Sequence, residues 1–175
     1  VGSRFEDRPE VEAALRTTIG QSDRALGMLK PAEAQLEKAL ALRETHRGAE
    51  HHETLESLNE LGVLRIMQGD LPAAEQLLER ALESGKRQVG EDDELVLSTL
   101  SSLAGLRNVQ GRLPEAEALL RQLLDVQRRT LGETHPNTIR TIHNLGLVLH
   151  REDKDEQAEH YCRRAVALHA EVHGA

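Results

Sequence analysis

The sequence predicts an all-α fold built from about four helix–turn–helix units, with eight main helices. The first observation behind this prediction is composition, because the 175 residues are dominated by strong helix formers such as Ala, Leu, Glu, Arg and Gln. The second is the scarcity of aromatic side chains, since one Phe, one Tyr and no Trp argue against an all-β sandwich. The third is an internal repeat with a period of 42 residues.

The repeat appears when the chain is shifted by 42 residues along itself. Residues 51–92 and 93–134 are then identical at 17 of 42 positions. The same register extends in both directions and predicts a single array of four units. We place these units at about residues 9–50, 51–92, 93–134 and 135–175, after an N-terminal extension or cloning remnant at residues 1–8.

Each unit is predicted to contain helix A, a tight turn, helix B and a second turn. In the second repeat, residues 51–92, the apolar positions of helix A follow helical spacing at Leu55, Leu58, Leu61 and Leu64. Gly69 then breaks the helix, Pro72 suits the start of helix B, and Gly90 ends it. In the fourth unit Asp153 replaces the turn glycine, and we expect the turn to be kept because Asp tolerates a left-handed backbone.

Composition and charge exclude several classes of function. The net charge of −8 lacks the basic surplus that neutralises phosphates, so we expect no nucleic-acid partner. No apolar run approaches the length of a membrane span, so no membrane partner is expected. The single cysteine, Cys162, allows no intramolecular disulfide, which favours a cytoplasmic location. Its position on the helix B stripe predicts a buried small apolar residue.

No catalytic or metal-binding pattern is present. The chain has no G-x-S-x-G, no P-loop and no G-x-G-x-x-G after a strand, so we expect no enzyme activity and no cofactor. Nine histidines are present, but a zinc site needs three or four convergent ligands with supporting carboxylates. We therefore predict no metal site and assign His135 to the turn between units.

The repeat resembles the tetratricopeptide repeat (TPR) family. The resemblance rests on small residues at matching positions of helix A and helix B, which are Gly20, Gly62, Ala104, Gly146, Ala32, Ala74, Ala116 and Ala158. The 42-residue period and the segment L-G-E-T-H-P-N-T at 131–138 are similar to repeats of the kinesin-light-chain type. The resemblance implies a right-handed superhelical solenoid whose concave groove is lined by the A helices and binds a protein or peptide.

The resemblance also implies which residues face the groove. Asn59 and Asn144 are the strongest candidates, because an Asn on this face clamps the backbone of an extended peptide in this family, and its amide offers a donor and an acceptor. The alternative is an Asn hydrogen-bonded within its own repeat. The full candidate set is Asn59, Val63, Ile66, Met67, Ser101, Ser102, Asn108, Arg140, His143, Asn144, Leu147 and His150.

Subsets of these residues suggest local chemistry, each with an alternative. Arg140, His143 and His150 would suit acidic ligand residues, or would form a solvated helix face. Val63, Ile66 and Met67 could form an apolar pocket, or could pack between repeats. Residues 51–92 carry nine acidic and four basic side chains, which could attract a basic partner or simply keep the chain in solution. Chaperone-binding members of this family grip the C-terminus of a peptide with a two-carboxylate clamp that contains lysines. The matching positions of this sequence hold no lysine.

The sequence therefore favours a protein-interaction module that scaffolds or regulates a larger protein. A weaker resemblance, carried by residues 9–16 and 40–43, is to repeats that follow the kinase domain in bacterial serine/threonine kinases. The alternative is self-association, because no polar capping helix follows residues 135–175 and the last repeat would expose an apolar face. Either the chain is cut from a longer array, or that face pairs with another copy. This alternative predicts a homodimer formed through the terminal repeat.

Overall fold

A computed structural model of the chain describes residues 8–174. Within that range the secondary structure consists of eight α-helices and no β-strand. The predicted extension, residues 1–8, lies outside the described residues except for Arg8. The helices are α1 (Pro9–Ala25), α2 (Leu29–Arg47), α3 (His52–Gln68), α4 (Leu71–Gln88), α5 (Glu94–Val109), α6 (Leu113–Thr130), α7 (Pro136–Arg151) and α8 (Asp155–His173). The predicted all-α, eight-helix fold is confirmed.

The turns follow the predicted pattern of left-handed residues. Gly69 has φ of 82° after α3, and Gly90 has φ of 93° after α4. Asp153, which replaces the glycine between α7 and α8, has φ of 59° and is the single non-glycine residue with positive φ among residues 8–174. The left-handed turn is therefore kept in the fourth repeat, as expected for an Asp.

Equivalent residues cap the A helices of the last three units. His51 Nδ1 accepts a hydrogen bond from the backbone N–H of Glu53 at 3.3 Å, and His135 Nδ1 accepts one from Asn137 at 3.2 Å. Asp93 occupies the matching place before α5, where its carboxylate accepts from the Leu95 N–H at 2.9 Å. These bonds satisfy helix N–H groups that have no partner within the helix. The assignment of His135 to the turn is confirmed.

Above the level of the four repeats, the described chain divides into two larger compact units, which we call the first and second unit. The first unit ends at Ser102 and the second begins at Leu103, inside α5. In the first unit, Leu36 of α2 packs with Leu61 and Leu64 of α3. A second cluster joins α3 and α4 to the start of α5 through Leu55, Leu58, Ala81 and Leu95. The single four-unit array stays a prediction.

The second unit has its own buried core. That core joins the end of α5 to α6, α7 and α8, with Leu120, Ile142, Leu145 and Leu168 nearly inaccessible to solvent. Helix α7 approaches α8 closely at Gly146, since a Cβ at this position would lie 2.6 Å from Cys162 Sγ. The prediction that Cys162 is buried is wrong, because it is half-buried, with its thiol against this glycine.

Ion pairs tie neighbouring helices together along both units. Hydrogen bonds from Gln68 and Arg65 of α3 lower the pKa of Glu33 on α2. In the second unit, Glu117 of α6 accepts from Lys154 at 2.6 Å and from Arg121 at 2.7 Å. The Lys154 bond and then the Arg121 bond lower the pKa of Glu117 from 4.5 to about 2.

Candidate functional site

A polar cavity of about 410 Å³ lies in the first unit, beside the face of α3 that the sequence assigns to the groove. Helix α3 contributes four of its lining residues, and α1, α2 and the start of α5 contribute the others. The cavity is lined by Thr17, Gln21, Arg43, His52, Glu56, Asn59, Glu60, Asp93, Glu94, Leu95 and Ser98. We call it the acidic cavity, because four of these eleven side chains are carboxylates.

The carboxylates of the acidic cavity are only partly neutralised. His52 lies between two of them, with Nδ1 3.6 Å from Glu56 and Nε2 3.3 Å from Asp93. Arg24 Nη2 lies 3.1 Å from Glu60 Oε2. Glu94 is exposed at the start of α5 and has no ionic partner within residues 8–174.

Arg43 brings a buried positive charge from α2 to the wall of the cavity. Its Nη1 donates to Ser57 Oγ at 2.7 Å and to the Glu53 carbonyl at 2.9 Å. Only 9% of the residue is exposed. These bonds fix the guanidinium against α3, so it serves as a link between the helices as well as a wall of the cavity.

Three buried polar atoms of residues that line the cavity lack a hydrogen-bond partner among the described residues. They are Asn59 Oδ1, Glu60 Oε2 and Arg43 Nε. Asn59 is 9% exposed. A buried acceptor without a donor costs about 1–3 kcal/mol, so the cavity can gain stability from a guest that supplies N–H donors.

The other groove residues predicted in the first unit lie away from this cavity. Val63 and Ile66 are half-buried, and Met67 is exposed. Ser101 is half-buried, while the Ser102 hydroxyl donates to the Ser98 carbonyl at 3.0 Å within its own helix. Of the predicted residues in this unit, Asn59 alone lines the acidic cavity.

The second unit has a cavity of different character, with a volume of about 710 Å³ between α7 and α8. Most of its lining is apolar, including Ile139 of α7 and Val166 of α8, and Val166 is 70% exposed. The predicted residues Arg140 and His143 line the same cavity and are exposed. We call this the terminal cavity.

The remaining predicted residues of the second unit show three different environments. Asn144 is half-buried, and its side chain has no hydrogen-bond partner within residues 8–174. Leu147 is 48% exposed, and His150 Nδ1 lies 2.8 Å from Asp155. Asn108 is already engaged, because its carbonyl accepts from Arg151 at 2.9 Å and its Oδ1 contacts the same guanidinium.

Of the eleven residues that line the acidic cavity, the candidate set contains only Asn59, and the charged or ionisable residues outside that set include Arg43, His52, Asp93 and Glu94. Arg43 reaches the cavity from a B helix, which the groove assignment did not consider. His52 and Glu94 occupy the same position in successive repeats, 42 residues apart. That equivalence was the available signal, because it places both side chains at the first turn of an A helix.

Neither a metal-binding cluster nor a membrane-spanning helix is present among the described residues. No group of three or more His, Cys, Asp and Glu side chains within residues 8–174 could hold a metal ion. Among the same residues, no helix has the length and apolar character needed to cross a bilayer.

Comparison with known proteins decides the family. The tetratricopeptide repeat model matches residues 10–87 and 95–171, which is most of the chain. The chain belongs to the tetratricopeptide repeat family. No curated protein matches the sequence of this chain.

Solved structures with the same fold include TPR proteins of the kinesin-light-chain type. BtubC (BKLC) from P. vanneervenii has a TM-score of 0.84 and 21% sequence identity, over 95% of this chain and 66% of that one. The TPR chain therefore spans just under two thirds of BtubC. A protein from Podosopora anserina, described as a kinesin light chain with nearly identical TPR-like repeats, has a TM-score of 0.74 and 22% identity, over 100% of this chain and 81% of that one.

MamA is a more distant structural neighbour, with a TM-score of 0.64 and 16% identity over 95% of this chain and 83% of that one. At these identities the likeness concerns the fold alone. Together with the eight helices, it identifies the chain as an all-α repeat solenoid, a fold that generally serves protein–protein interaction.

Proposed function

We propose that this TPR chain is an interaction module that binds extended peptide segments of a partner protein, on the α3 face of its first unit or on the α7 face of its second unit. The observation that carries the proposal is that neither Asn59 Oδ1 nor the Asn144 amide on those faces makes a hydrogen bond within residues 8–174. Asn59 Oδ1 is buried without a donor, and the half-buried Asn144 amide makes no hydrogen bond within residues 8–174. A peptide backbone offers the donor and acceptor that such amides lack.

The alternative role for these asparagines was a hydrogen bond inside their own repeat. No such bond forms for Asn144 among the described residues, and none reaches Asn59 Oδ1. A polar side chain kept partly or wholly from water without a partner weakens the fold unless a ligand compensates for it. This cost applies to the buried Asn59 Oδ1 and favours a binding role for that residue, while the half-buried Asn144 amide is free to bond to a ligand.

The proposed role is docking within a larger assembly. The weaker resemblance to repeats that follow bacterial kinase domains suggests that the chain scaffolds or regulates a signalling protein. That setting, and a cytoplasmic location, remain predictions. Ligand binding without catalysis is the whole of the activity that we propose.

Selection from a random peptide display library on the immobilised whole chain tests the proposal. We expect enriched peptides whose binding is weakened at least about tenfold by Asn144→Ala, which corresponds to about 1.4 kcal/mol. The Asn144→Ala variant should keep the parent's midpoint in urea, because its side chain makes no internal hydrogen bond. Gln76→Ala, which removes an exposed amide from α4, is the matched control and should bind normally.

Two results would count against the peptide-binding role. One is a library selection that enriches no peptide at all. The other is a large fall in the urea midpoint of Asn144→Ala, because that would show Asn144 to be structural.

The terminal cavity supports a second candidate function, self-association through the α7/α8 face. Val166 is 70% exposed and Val172 is 41% exposed at its wall. Burying apolar surface of this kind against a second copy stabilises a dimer by roughly 25 cal/mol per Å². We expect Val166→Glu to shift the mass measured by light scattering from dimer to monomer, with the exposed Ala167→Glu as control. A monomeric parent chain at high concentration would exclude this function.

A further inference from the structure

We propose that the acidic cavity receives a lysine or arginine side chain, so that this TPR chain selects cationic segments of its partner. The inference rests on the proposed function, because it names the chemical class of ligand for the α3 face of the first unit. Three features of the cavity support it: the charge balance, the acceptors without a hydrogen bond and one donor without an acceptor.

Charge is the first argument. Glu56, Glu60, Asp93 and Glu94 line the cavity, and the permanent positive charges near them are Arg43 in its wall and Arg24 beside Glu60. Arg43 is also within 4.0 Å of Glu53, which lies outside the cavity lining. Four carboxylates therefore face two guanidinium groups. A concave surface with such an excess attracts positive charge more strongly than an open one.

Unsatisfied acceptors are the second and independent argument. Asn59, which is more than nine-tenths buried, lines the cavity with an oxygen that receives no hydrogen bond. The neighbouring Glu60 Oε2 is also buried without a hydrogen bond, although Arg24 lies 3.1 Å away. Lysine brings three N–H donors and arginine five, and neither side chain brings an acceptor. A cationic side chain therefore supplies the donor that Asn59 Oδ1 lacks, and it adds a hydrogen bond to Glu60 Oε2, which already has the Arg24 guanidinium beside it.

One buried donor distinguishes a peptide from a bare cation. Arg43 Nε, in a residue of the cavity wall, has no hydrogen-bond acceptor among the described residues, since the Glu53 carboxylate lies 4.0 Å away, beyond hydrogen-bond distance. A metal ion or ammonium ion cannot supply an acceptor, whereas the backbone carbonyls next to a lysine or arginine can. In addition, no metal-binding group is found within residues 8–174. The three unsatisfied atoms together fit a cationic residue carried by an extended peptide.

Fluorescence anisotropy with the whole chain tests the proposal. The probes are three labelled peptides of one length, made of Lys-Ser-Ala repeats, of Gln-Ser-Ala repeats and of Glu-Ser-Ala repeats. We expect binding of the lysine peptide at low salt, binding at least about tenfold weaker for the glutamine peptide, and none for the glutamate peptide. Added salt should weaken the lysine complex, because it screens the carboxylates.

Charge reversal at the cavity provides the decisive comparison. Glu94 is exposed, so Glu94→Lys should fold normally and reduce affinity for the lysine peptide at least about tenfold. Glu83→Lys makes the same change of net charge at an exposed position of α4, outside the cavity. We expect Glu83→Lys to change the affinity less than twofold, by about 0.4 kcal/mol at most.

The outcomes separate this inference from the function on which it rests. Equal losses in Glu94→Lys and Glu83→Lys would overturn the cavity as the cationic site, because only overall charge would then matter. Enrichment of acidic or apolar sequences from the display library, with no lysine or arginine, would overturn the inference and leave peptide binding intact. A library that enriches nothing would overturn both.

Discussion

Single positions in this protein differ in how much added volume they can accept. A Cβ at Gly146 would lie 2.6 Å from Cys162 Sγ and 3.3 Å from both the Ala158 carbonyl oxygen and the Cys162 nitrogen. Backbone atoms cannot move aside as a flexible side chain can. We therefore expect Gly146→Ala to lower the free energy of unfolding by about 1–3 kcal/mol in urea titration.

Gly105 is the matched control for that substitution. It lies within α5, and a Cβ there would have no neighbour within 4 Å among the described residues. Gly105→Ala should therefore raise the free energy of unfolding by about 0.5–1 kcal/mol, since alanine is the better helix former. A stabilised Gly146→Ala would show that α7 and α8 can separate without cost.

The candidate site was predictable at this scale only in part. Asn59 could be recognised because its position in a helix repeat places it on a known face. Arg43 could not, because a long side chain from α2 reaches the cavity only once α2 packs on α3 and Ser57 accepts its hydrogen bond. Repeat spacing predicts where a Cβ lies, but it does not predict where a long side chain ends.

At the scale of elements, the turn between α7 and α8 stores a small conformational cost. Asp153 adopts φ of 59° where the other turns between helices use glycine. Glycine enters this region without steric penalty, so Asp153→Gly should raise the free energy of unfolding by up to about 1 kcal/mol. The reverse exchange, Gly111→Asp at φ of 74°, should lower it. Thermal unfolding of the two variants measures both, and a destabilised Asp153→Gly would contradict the argument.

The contact between α6 and α8 makes the fold sensitive to acid. Glu117 has its pKa lowered from 4.5 to about 2, first by the Lys154 hydrogen bond. A carboxyl whose pKa is lower in the folded state stabilises the fold above its unfolded pKa, and this contribution is lost as pH falls. For Glu117 the loss runs from about pH 4.5 to about pH 2.

Glu117→Gln should therefore reduce stability at neutral pH and flatten its decline between these pH values. Urea titrations at several pH values measure the effect. Glu159→Gln is the control, because its partner Arg163 is 78% exposed and exposed pairs contribute little. A parallel decline in Glu117→Gln and the parent chain would show that other groups govern acid unfolding.

The elements themselves were largely predictable. Glycine and proline bracket the helices, and leucines at helical spacing identify the buried face, as with Leu55 and Leu58. The N-terminal helix caps were less predictable, because histidine is an uncommon capping residue. His51 caps α3 only because its Nδ1 faces the Glu53 N–H. The exposure of Cys162 was misjudged because the repeat pattern places it on the same stripe as the buried Ala158 and Ala165.

At the scale of the whole molecule, a repeat of 42 residues predicts the fold because each repeat must bury its apolar face against a neighbouring repeat. The period required no knowledge of side-chain contacts. What it could not predict is the division into two compact units at Ser102, inside a continuous helix. That division depends on how densely the helices pack, which a repeated sequence pattern does not encode.

The division can be tested by hydrogen exchange on two core variants. Leu58 and Leu145 are both fully buried, one in each unit. Replacing either by alanine should cost about 2–5 kcal/mol and reduce amide protection mainly within its own unit. Equal loss of protection throughout the chain in both variants would show a single cooperative unit instead.

The scarcity of aromatic residues has a spectroscopic consequence. Tyr161 is the only tyrosine in the sequence, which has no tryptophan. It lies in the second unit with the Arg121 guanidinium carbon 5.7 Å from its ring centroid. Its absorbance and emission therefore report on that unit alone. A tryptophan placed in a ligand, or introduced at one chosen position, would emit against an almost dark background.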